Sequence, residues 1–243
     1  MTDNTLVTNA SSGTARLVRA GAIGLAAAGV LFVLYPAIRP FTDEKTLQGA
    51  AAFASNAWTV AHVLGMLGFI GLALGLLALL LSLTGARATG VASWAVLTGW
   101  IGAALTLTYY GAEVYGLRVV GRRALADQDT SLLAMADQIR LGPGAVLFGA
   151  GLVLLAIAGV AAAVAIWRSG TLPRWSGVLL AAGLVFYTPQ YWGDQPVRIA
   201  HGVLLAAGCL WLAVGLWRVA RANSGRPRAD YSDVLAIVSG PRS

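Results

Sequence analysis

The ionisable residues inside the apolar segments of this sequence are the first candidates for chemistry. Such residues are costly in a membrane and usually have a function. His62 and His201 are the only two histidines among 243 residues, and each lies near the start of an apolar segment. Glu113 lies at the end of another apolar segment. Imidazole and carboxylate groups can ligate a metal, transfer a proton or hold a ligand.

Further polar residues recur at helical spacing around these three. Thr106, Tyr109 and Tyr110 precede Glu113 with the spacing of a single helix face, and Trp58 precedes His62 by four residues. Asp194, a predicted helix cap, shares a possible face with His201. We therefore expect a pocket that also contains Trp58, Thr106, Tyr109, Tyr110, Tyr187, Gln190, Tyr191 and Arg198.

Two cofactor hypotheses fit the histidines. His62 and His201 can be the two axial ligands of one b-type haem, because haem iron accepts imidazole. Alternatively, His62, His201 and Glu113 can form a site for zinc or ferrous iron. No HxxH spacing places two ligands on one helix, so the metal hypothesis depends on the fold.

Three hypotheses need no cofactor. A lipid- or isoprenoid-modifying enzyme would use Glu113 or Asp194 as its general acid. A small-molecule transporter would use the same polar pocket as its substrate site. In an accessory membrane subunit, the polar residues would only connect helices, with Glu113 paired to Arg198 or Arg118. The sequence leaves these alternatives open.

The composition excludes several classes of protein. The chain is 58% hydrophobic and only 11% charged, whereas soluble domains carry about 25% charged residues. A soluble enzyme is therefore excluded. The net charge of +7 comes from basic residues between apolar runs, which does not indicate a nucleic-acid partner. The single cysteine, Cys209, excludes an intramolecular disulfide, and the preference for Arg, Ala and Gly indicates a GC-rich bacterial genome.

The lengths of the charge-free intervals predict the fold. A bilayer core needs about 20 apolar residues per helix. We predict an all-α integral membrane protein, a bundle of six transmembrane helices at about 20–38, 58–84, 90–115, 142–167, 175–193 and 196–218. The membrane domain spans 18–221, between a disordered cytoplasmic N-terminus at 1–17 and a cytoplasmic tail at 222–243. The first span lacks a convincing cleavage site before Arg39, so we interpret it as retained.

Two loops have helical character, and the spans contain small residues at close spacing. We expect a helical turn within 46–57 and a short interfacial helix at 131–140.

Gly24 and Ala28 in span one, and Gly71 and Gly75 in span two, have the four-residue spacing that permits close helix packing.

The distribution of Lys and Arg predicts the orientation. With both termini in the cytoplasm (N-in/C-in), ten basic residues lie inside and seven outside, although the cluster 118–123 is an exception. This places the chain in the cell (inner) membrane as a multi-pass protein. The lipid bilayer is its first partner, and other membrane subunits or a lipophilic small molecule are further candidates.

The alternation of spans brings the polar residues to one face. Spans two and six begin where spans three and five end, whichever way the protein is inserted. His62, His201, Glu113 and Tyr187 should therefore meet at the same membrane face. The predicted orientation makes this the extracytoplasmic face.

Overall fold

The computed structural model describes residues 3–83 and 85–224, and every regular element within them is helical. The helices are α1 (Asp3–Ile38), α2 (Leu47–Ala54), α3 (Asn56–Ser82), α4 (Ala86–Gly111), α5 (Leu117–Asp127), α6 (Ala134–Leu141), α7 (Pro143–Ser169), α8 (Arg174–Val185) and α9 (Gln195–Ser224). A π-helical turn, Ala112–Gly116, joins α4 to α5. Short 3-10 helices occupy Thr130–Leu133 and Pro189–Trp192.

Five helical segments are long and apolar enough to cross a membrane. They are 13–38, 56–82, 87–127, 143–169 and 195–222. The prediction of an all-helical, membrane-type protein is thereby confirmed. The number of six spans is not confirmed, because the segment predicted at 175–193 forms only the 12-residue helix α8. Twelve residues of α-helix extend about 18 Å, and Pro189 then begins a 3-10 helix instead of extending α8.

The structure describes most of the predicted N-terminal segment but little of the predicted tail. The sequence predicts disorder for 1–17, whereas α1 begins at Asp3 and continues without a break to Ile38. Ser, Thr and Asn are only mildly unfavourable in a helix, and extending an existing helix avoids the cost of nucleation. The predicted tail at 222–243 lies outside the described residues from 225 onward.

Glycines bring neighbouring helices into backbone contact. Helix α1 packs antiparallel to α3, where a Cβ added to Gly71 would lie 2.4 Å from the carbonyl oxygen of Gly24. Gly102 of α4 and Gly151 of α7 make the equivalent close approach. The four-residue spacing of small residues thus occurs where helices α1 and α3 pack closely.

Helix α4 and its continuation α5 extend well beyond the length of a bilayer crossing. Segment 87–127 has 41 residues, which span about 60 Å against a hydrocarbon core of about 30 Å. Helix α5 packs on α2, and α6 lies beside them. We call α2, α5, α6 and Thr130–Leu133 the cap. Its own apolar core contains Ala50, Phe53, Trp58, Leu117, Val120, Ala124, Leu133 and Ala136.

The cap accounts for the short helices predicted in the loops. The helical turn expected within 46–57 is α2, whose first turn is capped by the Thr46 hydroxyl. The interfacial helix expected at 131–140 corresponds to Thr130–Leu133 followed by α6. The exceptional cluster 118–123 lies on α5. There Arg118 donates hydrogen bonds to the Ser55 carbonyl, the Asn56 side chain and Thr59.

Gly71→Ala should destabilise the bundle, because the new methyl group would collide with the backbone of α1. Overpacking of this kind costs about 1–3 kcal/mol, so the midpoint of thermal unfolding in detergent should fall. Gly149→Ala is the matched control, since nothing lies within 4 Å of an added Cβ there. Equal midpoints for the two variants would show that the α1–α3 contact is not this close.

Candidate functional site: a charged pocket at one end of the bundle

The ends of five segments meet through a series of aromatic contacts. The ring of His62, at the start of α3, lies 5.4 Å from Tyr35 of α1 and 5.7 Å from Tyr110 of α4. The hydroxyl groups of Tyr110 and Tyr187 are 3.0 Å apart, and the Tyr187 ring lies 5.2 Å from His201 of α9. The antiparallel arrangement places these side chains at one end of the bundle.

His62 is buried, and its two nitrogen atoms have different surroundings. Its Nδ1 lies 2.8 Å from the Trp58 carbonyl oxygen. Because a carbonyl can only accept, Nδ1 is the donor of this hydrogen bond. Nε2 lies 3.7 Å from Oε2 of Glu113, which is beyond hydrogen-bond distance. His62 therefore leaves Nε2 available at the side of Glu113.

The π-helical turn positions Glu113. The turn from Ala112 to Gly116 contains this residue, and π turns occur frequently at functional sites. The main-chain oxygen of Glu113 accepts a hydrogen bond from the indole Nε1 of Trp58 at 2.9 Å. Trp58 thereby connects the start of α3 to the π turn from within the core of the cap.

The carboxylate of Glu113 is bound on both oxygens by Arg140. Arg140 Nε donates to Oε1 at 2.6 Å, and Nη2 donates to Oε2 at 3.0 Å. The sequence-based expectation that Glu113 pairs with Arg198 or Arg118 is therefore wrong. Helix α6 folds back over the end of α4 and brings Arg140 to Glu113, while Arg118 is engaged at the start of α3.

Glu44 extends this pair into a chain of alternating charges. Its Oε2 accepts from Nη1 of Arg140, and its Oε1 accepts from Nη2 of Arg39 at 2.8 Å. We call Arg39, Glu44, Arg140 and Glu113 the ion-pair chain. It connects the end of α1, the following loop, α6 and the π turn.

The pKa shifts in the ion-pair chain follow from its contacts. Burial alone would raise the pKa of the Glu44 carboxyl, but hydrogen bonds and charges from Arg140 and Arg39 lower it below its ordinary value. Burial alone would also lower the pKa of Arg140, but Glu113 and Glu44 raise it above its ordinary value. Both shifts favour the charged forms of these two groups.

Arg198 occupies the opposite side of the site. Its Nε donates to the Gly193 carbonyl at 3.0 Å, and its Nη2 donates to the Tyr191 carbonyl at 2.7 Å. The guanidinium carbon lies 5.2 Å from the centre of the Phe41 ring. Besides the ion-pair chain and Arg198, the site has a third, aromatic wall. Tyr109 and Phe148 are stacked there with their ring centres 4.2 Å apart.

These walls enclose a cavity of about 480 Å³, which is within the usual size range of small-molecule sites. Aromatic and charged side chains dominate its lining. The lining residues are Tyr35, Arg39, Phe41, Thr42, Glu44, His62, Tyr109, Tyr110, Glu113, Arg140, Phe148, Tyr191 and Arg198. Six of them, His62, Tyr109, Tyr110, Glu113, Tyr191 and Arg198, are among the residues that the sequence singles out.

The other candidate residues lie outside this cavity. Trp58 is buried in the core of the cap, and Thr106 is buried where α4 meets α7, with its hydroxyl bonded to the Gly102 carbonyl. Asp194 is exposed and caps α9 through the Val197 amide, as its position in the sequence predicts. Behind the cavity, a much smaller space is lined in part by Tyr187, Gln190 and His201.

Sequence reasoning missed most of the ion-pair chain. Arg39, Glu44 and Arg140 lie in segments that we interpreted as loops or span boundaries. Glu44 and Arg140 are 96 positions apart, so no helical spacing connects them. Their only signal in the sequence is that they are charged residues close to the ends of predicted spans.

The structure does not fit the two cofactor hypotheses. Nε2 of His201 lies 2.7 Å from the Gly183 carbonyl of α8, so this nitrogen is engaged in a hydrogen bond and does not face iron. The contacts that connect the two imidazoles pass through Tyr110 and Tyr187. Among the described residues, no three His, Cys, Asp or Glu side chains are close enough to hold a metal ion.

The two proposed general acids are also engaged in other roles. Both carboxylate oxygens of Glu113 accept hydrogen bonds from Arg140, and the Asp194 side chain caps α9. A general acid must reach the group that it protonates with a free O–H. This arrangement therefore favours a binding role for the cavity over acid catalysis.

Comparison with protein-family models, curated proteins and solved structures finds no match to this chain. Function is therefore inferred from the geometry and charge of the cavity alone.

Arg140→Met should destabilise the protein strongly, because it leaves Glu44 and Glu113 without their guanidinium donors. Breaking a fully buried ion pair from one side costs about 3–5 kcal/mol. The Arg140 side chain is 17% exposed, so the cost should be below this range and thermal unfolding should still occur at a lower temperature. Arg123→Met is the matched control. Its ion pair with Asp127 is exposed, and such pairs contribute about 1 kcal/mol at most. Equal effects of the two substitutions would refute a structural role for the ion-pair chain.

Proposed function

We propose that this chain is an integral membrane protein that binds a small amphiphilic ligand in the cavity. The observation that carries the proposal is the cavity itself, which combines aromatic walls with five charged side chains at one end of an apolar bundle. Apolar walls of this kind accept the body of a ligand, and a few convergent polar groups fix its orientation.

The packing below the cavity favours binding over transport. Phe32, Phe69 and Tyr187 pack against one another beneath Tyr110, with ring centres 5.1–6.1 Å apart. Further along the bundle, Leu25, Leu72 and Leu76 are fully buried. A pathway for a polar molecule would need polar groups that continue past this aromatic layer.

We further propose that α8 belongs to a sixth crossing. Leu172 and Pro173, just before α8, lie beside Gly215 of α9, whereas Gly183 near the end of α8 lies beside Leu205. After α8, the chain continues through Pro189–Trp192 to the start of α9 at Gln195. Segment 172–192 thus runs alongside most of α9, which is itself long enough to cross a membrane.

The charge distribution supports an orientation with both termini in the cytoplasm of a bacterial cell. The site end carries seven basic and seven acidic residues, whereas the opposite end and the tail carry ten arginines. The positive-inside rule places the arginine-rich end in the cytoplasm. In this orientation the cavity opens on the extracytoplasmic side of the inner membrane.

The orientation and the sixth crossing predict which single cysteines an impermeant maleimide reaches in intact cells. Cys209 is fully buried, so it can be replaced by Ala to give a background without thiols. Arg122→Cys and Trp192→Cys should be labelled from outside. Arg87→Cys and Thr171→Cys should be labelled only after permeabilisation, because they lie at the other ends of their helices.

Two patterns would contradict these proposals separately. If Trp192→Cys and Thr171→Cys are labelled from the same side, α8 does not complete a crossing. If all four positions show the reverse pattern, the orientation is wrong and the cavity faces the cytoplasm.

Ligand binding predicts that an amphiphile co-purifies with the protein in a mild neutral detergent. Organic extracts analysed by mass spectrometry should contain a compound class that is depleted in Thr42→Trp, because an indole at this lining position occupies the cavity or its mouth. The control is Thr108→Trp, an exposed position of α4 that is absent from the lining. Identical extracts from the wild type and both variants would contradict the proposed function.

A further inference from the structure

We propose that the cavity selects an amphiphile whose head is a singly charged oxyanion, such as a carboxylate. This inference depends on the proposed function and names the chemical class of the ligand. Charge, hydrogen-bond capacity and the positions of two guanidinium groups support it.

The charges of the lining do not cancel. Among the described lining residues, Arg39, Arg140 and Arg198 carry three positive charges, while Glu44 and Glu113 carry two negative charges. An excess of one positive charge remains before any charge on His62 is considered. A ligand with one negative charge would neutralise the cavity.

Both carboxylates are already paired with guanidinium groups. Glu44 receives one guanidinium N–H on each oxygen, from Arg39 and Arg140. Glu113 likewise receives one N–H from Arg140 on each oxygen. A cationic ligand would therefore compete with an arginine for either carboxylate.

Donor groups, by contrast, are left over. A guanidinium group has five N–H donors. Arg198 directs Nε and Nη2 to main-chain oxygens, and Nη1 has no hydrogen-bond partner among the described residues. Arg39 donates from Nη2 to Glu44, and its other guanidinium nitrogens have no hydrogen-bond partner in that same part of the chain. The cavity thus offers donors and needs a ligand that supplies acceptors.

The two guanidinium groups with spare donors flank one aromatic ring. The guanidinium carbon of Arg39 lies 4.7 Å from the centre of the Phe41 ring, and that of Arg198 lies 5.2 Å from it. The face of an aromatic ring attracts a cation, but two neighbouring cations repel each other. An oxyanion near Phe41 would relieve this repulsion and accept hydrogen bonds from both arginines.

The aromatic wall suits the apolar part of the same ligand. Tyr109 and Phe148 are stacked, and the Tyr191 ring meets Phe148 edge-on at 5.7 Å. These rings lie in the lining together with the arginines. An acyl chain or another apolar body can therefore pack on them while its anionic head contacts Arg39 and Arg198.

Four probes distinguish the contribution of the charged head group from that of the apolar tail. They are decanoate, decanol, decyltrimethylammonium and acetate. Binding to the intact chain is measured by isothermal titration calorimetry in a neutral maltoside detergent, below the micelle concentration of each probe. Decanoate should bind about tenfold more tightly than decanol or decyltrimethylammonium, because it gains charge-assisted hydrogen bonds. Its affinity should fall as salt increases.

Paired variants test the charge without changing the shape of the cavity. Thr42 is an exposed lining residue, so Thr42→Asp and Thr42→Asn should both fold. Decanoate should bind Thr42→Asp about tenfold more weakly than Thr42→Asn, because the aspartate removes the excess charge. Arg198→Gln should weaken binding to a similar extent, whereas Arg122→Gln, exposed on α5, should bind like the wild type.

The outcomes distinguish this inference from the proposed function. Equal or tighter binding of decanol or decyltrimethylammonium would overturn the anion preference and leave the amphiphile site intact. If none of the three decyl probes binds, both proposals are wrong. Acetate binding as tightly as decanoate would overturn the amphiphile, because the apolar tail would then contribute nothing, and would assign the oxyanion site to a free anion.

Discussion

The arrangement of the site depends on the partial burial of Arg140. A guanidinium group placed against an apolar bundle must be paired, because an uncompensated charge there is strongly destabilising. Glu113 and Glu44 meet this requirement, and their positions fix three separate parts of the fold. The π turn must present Glu113, the loop after α1 must return to present Glu44, and α6 must fold back over the bundle. The cavity is the space enclosed by these constraints.

This dependence explains why the cap and the bundle belong to one site. Trp58 lies in the apolar core of the cap. Its indole donates a hydrogen bond to the main chain of Glu113, and its carbonyl oxygen accepts a hydrogen bond from Nδ1 of His62. A small movement of α2 or α5 would therefore change the surroundings of His62 and Glu113. A second cavity, of about 350 Å³, lies against the cap and shares Glu44 and Arg140 with the first, so this ion pair lines both cavities.

The sequence predicts the parts of this structure that depend on local periodicity. Charge-free lengths indicate the long helices, and their alternation brings His62, Glu113 and Tyr110 to one end. Local periodicity does not predict contacts that form where the chain reverses outside the bundle. For this reason the sequence does not identify Arg140 as the partner of Glu113. The charge-free length also overestimates α8, because the apolar stretch continues past Val185 although the helix ends there. Trp58, interpreted as a pocket residue, is fully buried because the cap covers it.

The π turn also sets the rotation of α5 relative to α4, which together form one long and nearly continuous helix. Each residue of an α-helix turns the chain by about 100°, and a π turn absorbs roughly one additional residue. Helices α4 and α5 are therefore out of phase with each other, although they are nearly continuous. Below the turn, Gly102 faces α7, and above it, Gly121 faces the backbone of α2. Without the additional residue, the face that contacts α2 would be turned by about 100° relative to the face that contacts α7. The additional residue lets one long helix pack against both α7 and α2. Glu113 lies in the π turn, where the rotational phase changes.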